Sequence, residues 1–307
     1  MSDIPNGLAG ALREAQLDVT ENAPLAPLTT FRIGGHARML VTAHSPEEVV
    51  RAVRLAVETG ARWAVIGGGS NLLVADEGFP GVVVLVRAAR VSLHDTELEA
   101  EAGAELGRIV TGSAWAGLGD LTFCAGIPGT VGGAVAGNAG AWGRGLGELV
   151  VAVRLLRAAS METVEVSREA MDFGYRRSAV QATGDVILAV RLGLEPTERK
   201  AMLKQIDENL AKRAKRLPEL PSAGSVFRNL PPVQPDGQRE PAGRLLEAVG
   251  AKGYRVGDAG VTDKHANVIV NYGHARARDV AQLMAELERR VAEKFGVRLS
   301  RELRELG

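Results

Sequence analysis

Only one cysteine stands among the 307 residues, Cys124, so neither an internal disulfide nor a cysteine-built metal site is open to the chain. Set between Phe123 and Ala125 in an apolar run, it reads as a buried thiol and fits a reducing compartment. Charge of one sign is not in excess either, since 37 basic residues balance 37 acidic ones. That balance supplies no field to attract nucleic acid or an anionic membrane. No run reaches the roughly 18 apolar residues of a membrane span, and Met1 to Asn22 carry charges throughout instead of the apolar centre of a signal peptide. These absences lead to the expectation of a cytoplasmic protein without membrane insertion or a nucleic-acid partner.

Several signatures of chemistry are missing as well. The Gly-x-x-x-x-Gly-Lys-Ser/Thr phosphate loop is absent, and no Gly-x-Gly-x-x-Gly follows a strand and opens a helix as dinucleotide-binding folds require. His36, His44, His94, His265 and His274 are scattered without ligand spacing, so no metal site is expected. Ser70 and Ser225 follow glycines, but neither lies in the Gly-x-Ser-x-Gly of a hydrolase nucleophile.

What the chain does have is glycine in two concentrated stretches. Seven of the eighteen residues from Gly126 to Gly143 are glycine, and Gly67-Gly68-Gly69-Ser70-Asn71 forms a second loop upstream. Glycine takes positive φ and lets another group approach the peptide, so such turns can aim bare N–H groups at an anion. A Gly-Gly pair can equally be a tight turn with close packing. Two such loops together point to a ligand with two phosphates or a long nucleotide.

In chain order, a helix is expected around Leu8 to Leu17, followed by an extended Ala23 to Leu28 held by its prolines. Ser45 as N-cap, Pro46 and Glu48 announce a helix with Val49, Val50, Val53, Ala56 and Val57 at helical spacing, ended by Gly60. Trp63 to Ile66 and Val82 to Val86 read as buried strands, Glu97 to Ala102 as a half-exposed strand, and Glu105 to Trp115 as a helix. Val150 to Arg157 and Met161 to Val166 read as antiparallel strands, Ser167 to Met171 as a capped turn, and Asp185 to Leu194 as a further strand. Thr30 to Leu194 is therefore expected to be an α+β domain with a largely antiparallel sheet.

A long helix from Pro196 should line one face with Leu203, Ile206 and Leu210. Lys212, Arg213, Lys215 and Arg216 in its last turn either complement the helix dipole or lie near a phosphorylated substrate. Leu230 to Pro241 is expected as a loop. Helices at Ala242 to Val249 and Arg276 to Phe295 and strands at Asn267 to Val270 and Val297 to Leu299 complete a smaller α+β domain.

Seven blocks in order then carry a family resemblance. They are Thr29-Thr30-Phe31-Arg32-Ile33-Gly34-Gly35, Gly67 to Asn71, Gly126 to Ala134, Tyr175-Arg176-Arg177-Ser178, Ala223-Gly224-Ser225-Val226-Phe227, Lys264-His265-Ala266-Asn267 and Leu299-Ser300-Arg301-Glu302-Leu303. Across nearly the whole chain the pattern resembles the UDP-N-acetylenolpyruvoylglucosamine reductases. The resemblance implies an α+β flavoprotein: a leader (1–29), a FAD-binding domain of the vanillyl-alcohol-oxidase (PCMH) type (30–194, subdomains about 30–90 and 91–194) and a substrate domain (195–307). It implies non-covalent FAD, NADPH as hydride donor and a UDP-sugar as substrate, in a protein that is a monomer or weak oligomer.

By the same resemblance Arg176 and Glu302 steady an enolic, carboxylate-bearing intermediate, and Ser225 donates a proton. Gly67, Gly68, Gly69, Ser70, Asn71, Leu72, Gly126, Ile127, Gly129, Thr130, Gly132, Gly133, Ala134 and Arg304 would hold the cofactor, and Tyr175, Arg228 and Asn229 the substrate. Spacing alone does not single these residues out. Gly224-Ser225 could be an ordinary turn, Arg176 and Arg177 a solvated pair, and Glu302 one more charge in the tail from Arg301 to Glu305.

Two departures stand out: Arg228-Asn229-Leu230 replaces the family's usual Lys-Asn-Pro, and Trp142 stands where tyrosine is commoner. Only Ala179 to Gly184 separates Ser178 from the next strand, so the chain resembles the compact type that lacks a tyrosine-bearing insertion. A nucleotide-binding sensor without catalysis, or an oxidase on the same flavin scaffold, are the alternatives.

Overall fold

The structure, a computed structural model, describes residues 7–232 and 237–307. It divides into two compact units: 1–23, 38–68 and 80–212 form the first, and 24–37, 69–79 and 213–307 the second. The expected cut at 194/195 is thus displaced. The long helix stays with the first unit as far as Lys212, and two short stretches of the N-terminal half belong to the second. Hydrogen bonds explain their placement: Thr30 Oγ1 donates to the Ser222 carbonyl at 2.7 Å, and Asn271 Nδ2 donates to the carbonyls of Phe31 and Arg32.

The first unit carries a four-stranded sheet in the order Asp18–Pro24, His36–Ala43, Phe79–Val86, Trp63–Ile66, the last two parallel. Its helix Pro46–Glu58 starts as the sequence dictates. Ser45 Oγ accepts from the Glu48 N–H at 3.2 Å, while the Glu48 carboxylate reaches back one residue further than expected, to the His44 N–H. Val49, Ala52, Val53 and Ala56 are buried, whereas Val57 is exposed. A second, five-stranded antiparallel sheet runs Thr163–Ser167, Val150–Leu156, Val186–Gly193, Glu97–Glu101, Val91–His94. Cys124 is buried in the core of this unit.

The helix Arg199–Arg216 buries Met202, Ile206 and Asn209 and packs Leu203, half-buried, against the same core, so of the expected Leu203, Ile206 and Leu210 face only Leu210 is exposed. Asn209 tolerates burial because its Nδ2 donates to the Thr122 carbonyl at 2.8 Å. Ala26–Leu28, expected to be extended, makes one 3-10 turn after the strand Asp18–Pro24.

The second unit is a four-stranded antiparallel sheet, Ser222–Ser225, Val268–Asn271, Ala259–Val261, Arg255–Val256, packed against the helix Ala277–Phe295. Phe31, Ile33 and Leu73 from the two early stretches join its core. The last strand is Arg304–Leu306, parallel to Leu72–Val74, and not Val297–Leu299; the pairing partner, absent from local sequence, selects the later residues. Part of the loop expected at Leu230 to Pro241, residues 233–236, lies outside the described residues.

Candidate functional site

In the first unit the two glycine loops meet. A Cβ on Gly68 would lie 2.8 Å from the Gly129 Cα, and one on Gly67 would run into the Thr130 hydroxyl, so only glycine permits this approach. Gly126 (φ 74°) and Gly129 (φ 116°) turn the second loop. The loop is fixed by its flanks, where Ile127 N–H donates to Cys124 O and Leu106 N–H to Gly129 O. Thr130 then caps the helix Val131–Ala136.

The expected cofactor residues divide by what their amides do. Gly132 N–H donates to Ala102 O, Gly133 N–H to Thr130 Oγ1 and Ala134 N–H to Thr130 O, so these three serve packing and capping. Gly68, Gly129 and Thr130 are different: their N–H groups have no protein acceptor among the described residues. Bare amides on two loops that approach this closely, at Gly68 where a Cβ would be obstructed, can hold an anion and fit the pyrophosphate of a dinucleotide such as FAD. Beside the loop is a cavity of about 310 Å³ with an apolar wall of Val110, Ile127, Ile206 and Leu210.

The same unit holds Tyr175 and Arg176 at the tip of a two-residue turn, closed by reciprocal backbone hydrogen bonds between Gly174 and Arg177. The adjacent arginines are not equivalent. Arg177 is exposed and forms a two-pronged ion pair with Asp172, which is the solvated reading. Arg176 is half-buried, stacks its guanidinium 5.3 Å from the Tyr175 ring centre and donates to Gly140 O at 3.2 Å. Its φ of 53° is uncommon for a non-glycine residue, and local strain of this kind gathers at functional positions. Ser178 Oγ, donating to Ala136 O at 2.7 Å, docks the turn on the helix that follows the glycine loop. Asn138, which sequence reasoning missed, ties the two stretches together: its Nδ2 donates to Gly174 O and its Oδ1 accepts from Gly147 N–H. Trp142, also at positive φ, is exposed with Lys212 over its ring.

In the second unit Ser225 ends the strand Ser222–Ser225, whose pairing with Val268–Asn271 slips between the bonded positions Ser222 and Ser225. Gly224, at φ 75°, makes the irregularity. Ser225 is therefore not in an ordinary turn but at a bulge, which re-aims a side chain. The next residue is bonded to the glutamate expected to steady the intermediate, because Glu302 N–H donates to Val226 O at 2.8 Å. Asn71 holds Glu302 from the far side. Its Nδ2 donates to Glu302 O at 3.2 Å and its carbonyl accepts from Arg304 N–H. Leu72 opens the strand paired with Arg304, and Gly69, at φ 59°, accepts from Thr30 N–H.

Arg228 and Arg304 belong to this unit too. Burial, then the charge of Arg228, lowers the Arg304 guanidinium from its usual value. The Arg228 Nε is buried with no hydrogen-bond acceptor, and neither guanidinium has a carboxylate partner among the described residues. Two neighbouring cations without a counter-charge are costly unless an anion joins them. Asn229, expected to touch substrate, has its Oδ1 at 3.3 Å from the N–H of Ala242, at the start of the helix Ala242–Ala248. The structure thus gathers Ser225, Glu302, Arg228, Asn229, Arg304, Asn71, Leu72, Ser70 and Gly69 in one unit, and Tyr175, Arg176, Gly67, Gly68 and the Gly126 to Ala134 loop in the other.

Residues 37–167 match the family model of an FAD binding domain, and residues 216–306 that of the UDP-N-acetylenolpyruvoylglucosamine reductase C-terminal domain. A UDP-N-acetylenolpyruvoylglucosamine reductase of Moorella thermoacetica is 42% identical over 299 residues, 96% of each chain. One of Parasynechococcus marenigrum is 38% identical, covering 95% of this chain and 97% of its own. Among solved structures, a UDP-N-acetylenolpyruvylglucosamine reductase from Thermus caldophilus superimposes with a TM-score of 0.76 at 34% identity, covering 95% of this chain and 99% of that one. A berberine bridge enzyme variant shares the fold alone, at a TM-score of 0.50 and 19% identity over 64% of this chain and 45% of its own.

Proposed function

The chain belongs to the UDP-N-acetylenolpyruvoylglucosamine reductase family, and from that premise we propose which of its residues carry the reaction. The enzyme reduces the enolpyruvyl group of the UDP-sugar to give UDP-N-acetylmuramate in peptidoglycan precursor synthesis, with FAD as cofactor and NADPH as reductant. FAD, when bound, supplies the hydride that it has received from NADPH. Gly68, Gly129 and Thr130 would hold it through their bare amides, with no covalent link.

Hydride addition to the terminal carbon of a double bond conjugated with a carboxylate leaves negative charge on the carboxylate-bearing carbon and its oxygens. Arg176 stabilises that charge as a fixed cation, assisted by Glu302, and Ser225 Oγ delivers its proton to the same carbon. A serine is a weak acid, so the developing carbanion is the driving force. Arg228 and Arg304 supply uncompensated positive charge for phosphate oxygens, Arg304 toward the cofactor and Arg228 toward the UDP-sugar, where Tyr175 and Asn229 also act. As part of the same reading, the protein works in the cytoplasm, where NADPH and nucleotide sugars are made, as a monomer or weak oligomer, and its product ties it to cell shape and division.

The observation that supports these roles most is the bond between Glu302 N–H and Val226 O, which joins the segments bearing the proton donor and the acid. The test is direct: purify the protein, look for flavin absorbance, and follow NADPH oxidation with and without the enolpyruvyl UDP-sugar. A colourless protein that takes up no FAD, or NADPH oxidation indifferent to the sugar, would overturn the proposal.

A further inference from the structure

We propose that Asn267 is a positioning residue for the proton donor, acting through the backbone that follows Ser225; the inference rests on the roles proposed above for Ser225 and Glu302. Asn267 is 3% exposed and grips one residue from both ends. Its Oδ1 accepts the Phe227 N–H at 3.0 Å, its Nδ2 donates to the Phe227 carbonyl at 2.8 Å, and its own carbonyl accepts the Val226 N–H at 3.0 Å.

This clamp stands where the sheet stops. Pairing of the Ser222–Ser225 strand with Val268–Asn271 ends at Ser225↔Val268, after the bulge at Gly224. Beyond it the chain turns from the ladder, and Phe227, fully buried, needs partners for two backbone groups. The Asn267 carboxamide provides one donor and one acceptor in the spacing of a peptide, so it continues the sheet by side chain. The opposite edge of the same segment carries the acid: Val226 O accepts from Glu302 N–H, Phe227 bridges Arg301, and Arg228 N–H donates to Ser300 O. One side chain therefore sets the depth of Ser225 and, through Val226, of Glu302. A proton donor misplaced by about 1 Å loses on the order of 10²-fold in rate.

The experiment is Asn267→Asp in the full-length, FAD-loaded enzyme. Aspartate has nearly the same shape and still accepts from Phe227 N–H, but it sets an acceptor against the Phe227 carbonyl. Stopped-flow mixing should show flavin reduction by NADPH within about twofold of the parent. Reoxidation by the enolpyruvyl UDP-sugar should fall by about 10²-fold, in kcat with little change in KM. In a Ser225→Ala background the same change should cost clearly less than in the parent, leaving only the part that runs through Glu302. A folded variant with a lower Tm and both half-reactions intact would make Asn267 merely structural. Full additivity with Ser225→Ala would also sink the proposal, whereas an unaffected Ser225→Ala enzyme would instead overturn the role of Ser225. Should N267D fail to fold, Asn267→Ser, which is smaller and gives up the paired bonds to Phe227 without adding a charge, gives the same comparison with the same opposing outcomes.

Discussion

Glu302 gives its backbone N–H to the carbonyl of Val226 at 2.8 Å, so the acid and the residue after Ser225 cannot shift independently. Ser225→Ala leaves this bond in place and removes only the hydroxyl. Flavin reduction by NADPH should stay near normal while reoxidation by the enolpyruvyl sugar slows by roughly 10²–10⁴-fold, the usual loss with a general acid. Equal damage to both half-reactions, measured by stopped flow, would take Ser225 out of its role.

Gly224 stands at φ 75° with open space where a Cβ would go, so alanine there strains the backbone without a clash. Gly224→Ala should cost about 1–2 kcal/mol of stability. It should also lower kcat by turning Ser225 away from the bulge geometry. A denaturant titration and a rate measurement on the same sample check both; unchanged activity would mean the bulge does not aim the serine.

Gly68→Ala meets a different obstacle. The added Cβ would lie 2.8 Å from the Gly129 backbone, which has no flexible end to move aside. The two loops must part, and the dissociation constant for FAD, read by flavin fluorescence, should rise by on the order of 10-fold or more, about 1.4 kcal/mol. Unaltered affinity would show that the bare amides do not form the cofactor cradle.

Arg176→Lys keeps the charge but loses the planar fork that stacks on Tyr175 and reaches Gly140 O. A fall in kcat/KM of about 10²-fold or more is expected if the group stabilises developing charge. Arg177→Lys, which alters only a surface ion pair, should change it little. Similar losses in the two variants would erase the distinction between them.

His265 provides a pH test. Burial first, then the charges of Arg216 and Lys252, hold its imidazole below the ordinary histidine value, and its Nδ1 accepts from Asn267 N–H. A folded-state value below the unfolded one means that the unfolded chain takes up the proton first. Stability should therefore decline as pH falls below about 6.5 and stop declining once the folded protein is protonated too. His265→Gln should flatten that part of the curve in urea denaturation; an identical slope would assign the titration elsewhere.

Much of this was legible in the sequence where a local rule decides. The helix Pro46–Glu58 was announced by Ser45, Pro46 and Glu48, and the cap bonds are there. The glycine loops were visible as composition, although which amides remain bare depends on Ala102 and Ala104 as acceptors, nearly thirty residues away in sequence. On the helix Arg199–Arg216 periodicity found Leu203 and Ile206 but put Leu210 in place of Asn209, because it counts leucines and does not foresee a buried asparagine satisfied by Thr122. The final strand was misplaced for a related reason: Leu72–Val74 chooses its partner through tertiary pairing. Arg176 and Arg177 look alike in sequence, and only the turn that buries one and exposes the other separates them.

Residues 24–37 and 69–79 complete a unit whose remaining part begins at Arg213. A gene cut near that point would release a fragment lacking Phe31, Ile33 and Leu73, and lacking the strand on which Arg304–Leu306 is laid. Recombination at a single junction could then exchange neither half for a relative's without breaking a core. The second unit is therefore not a segment that one junction can carry from chain to chain.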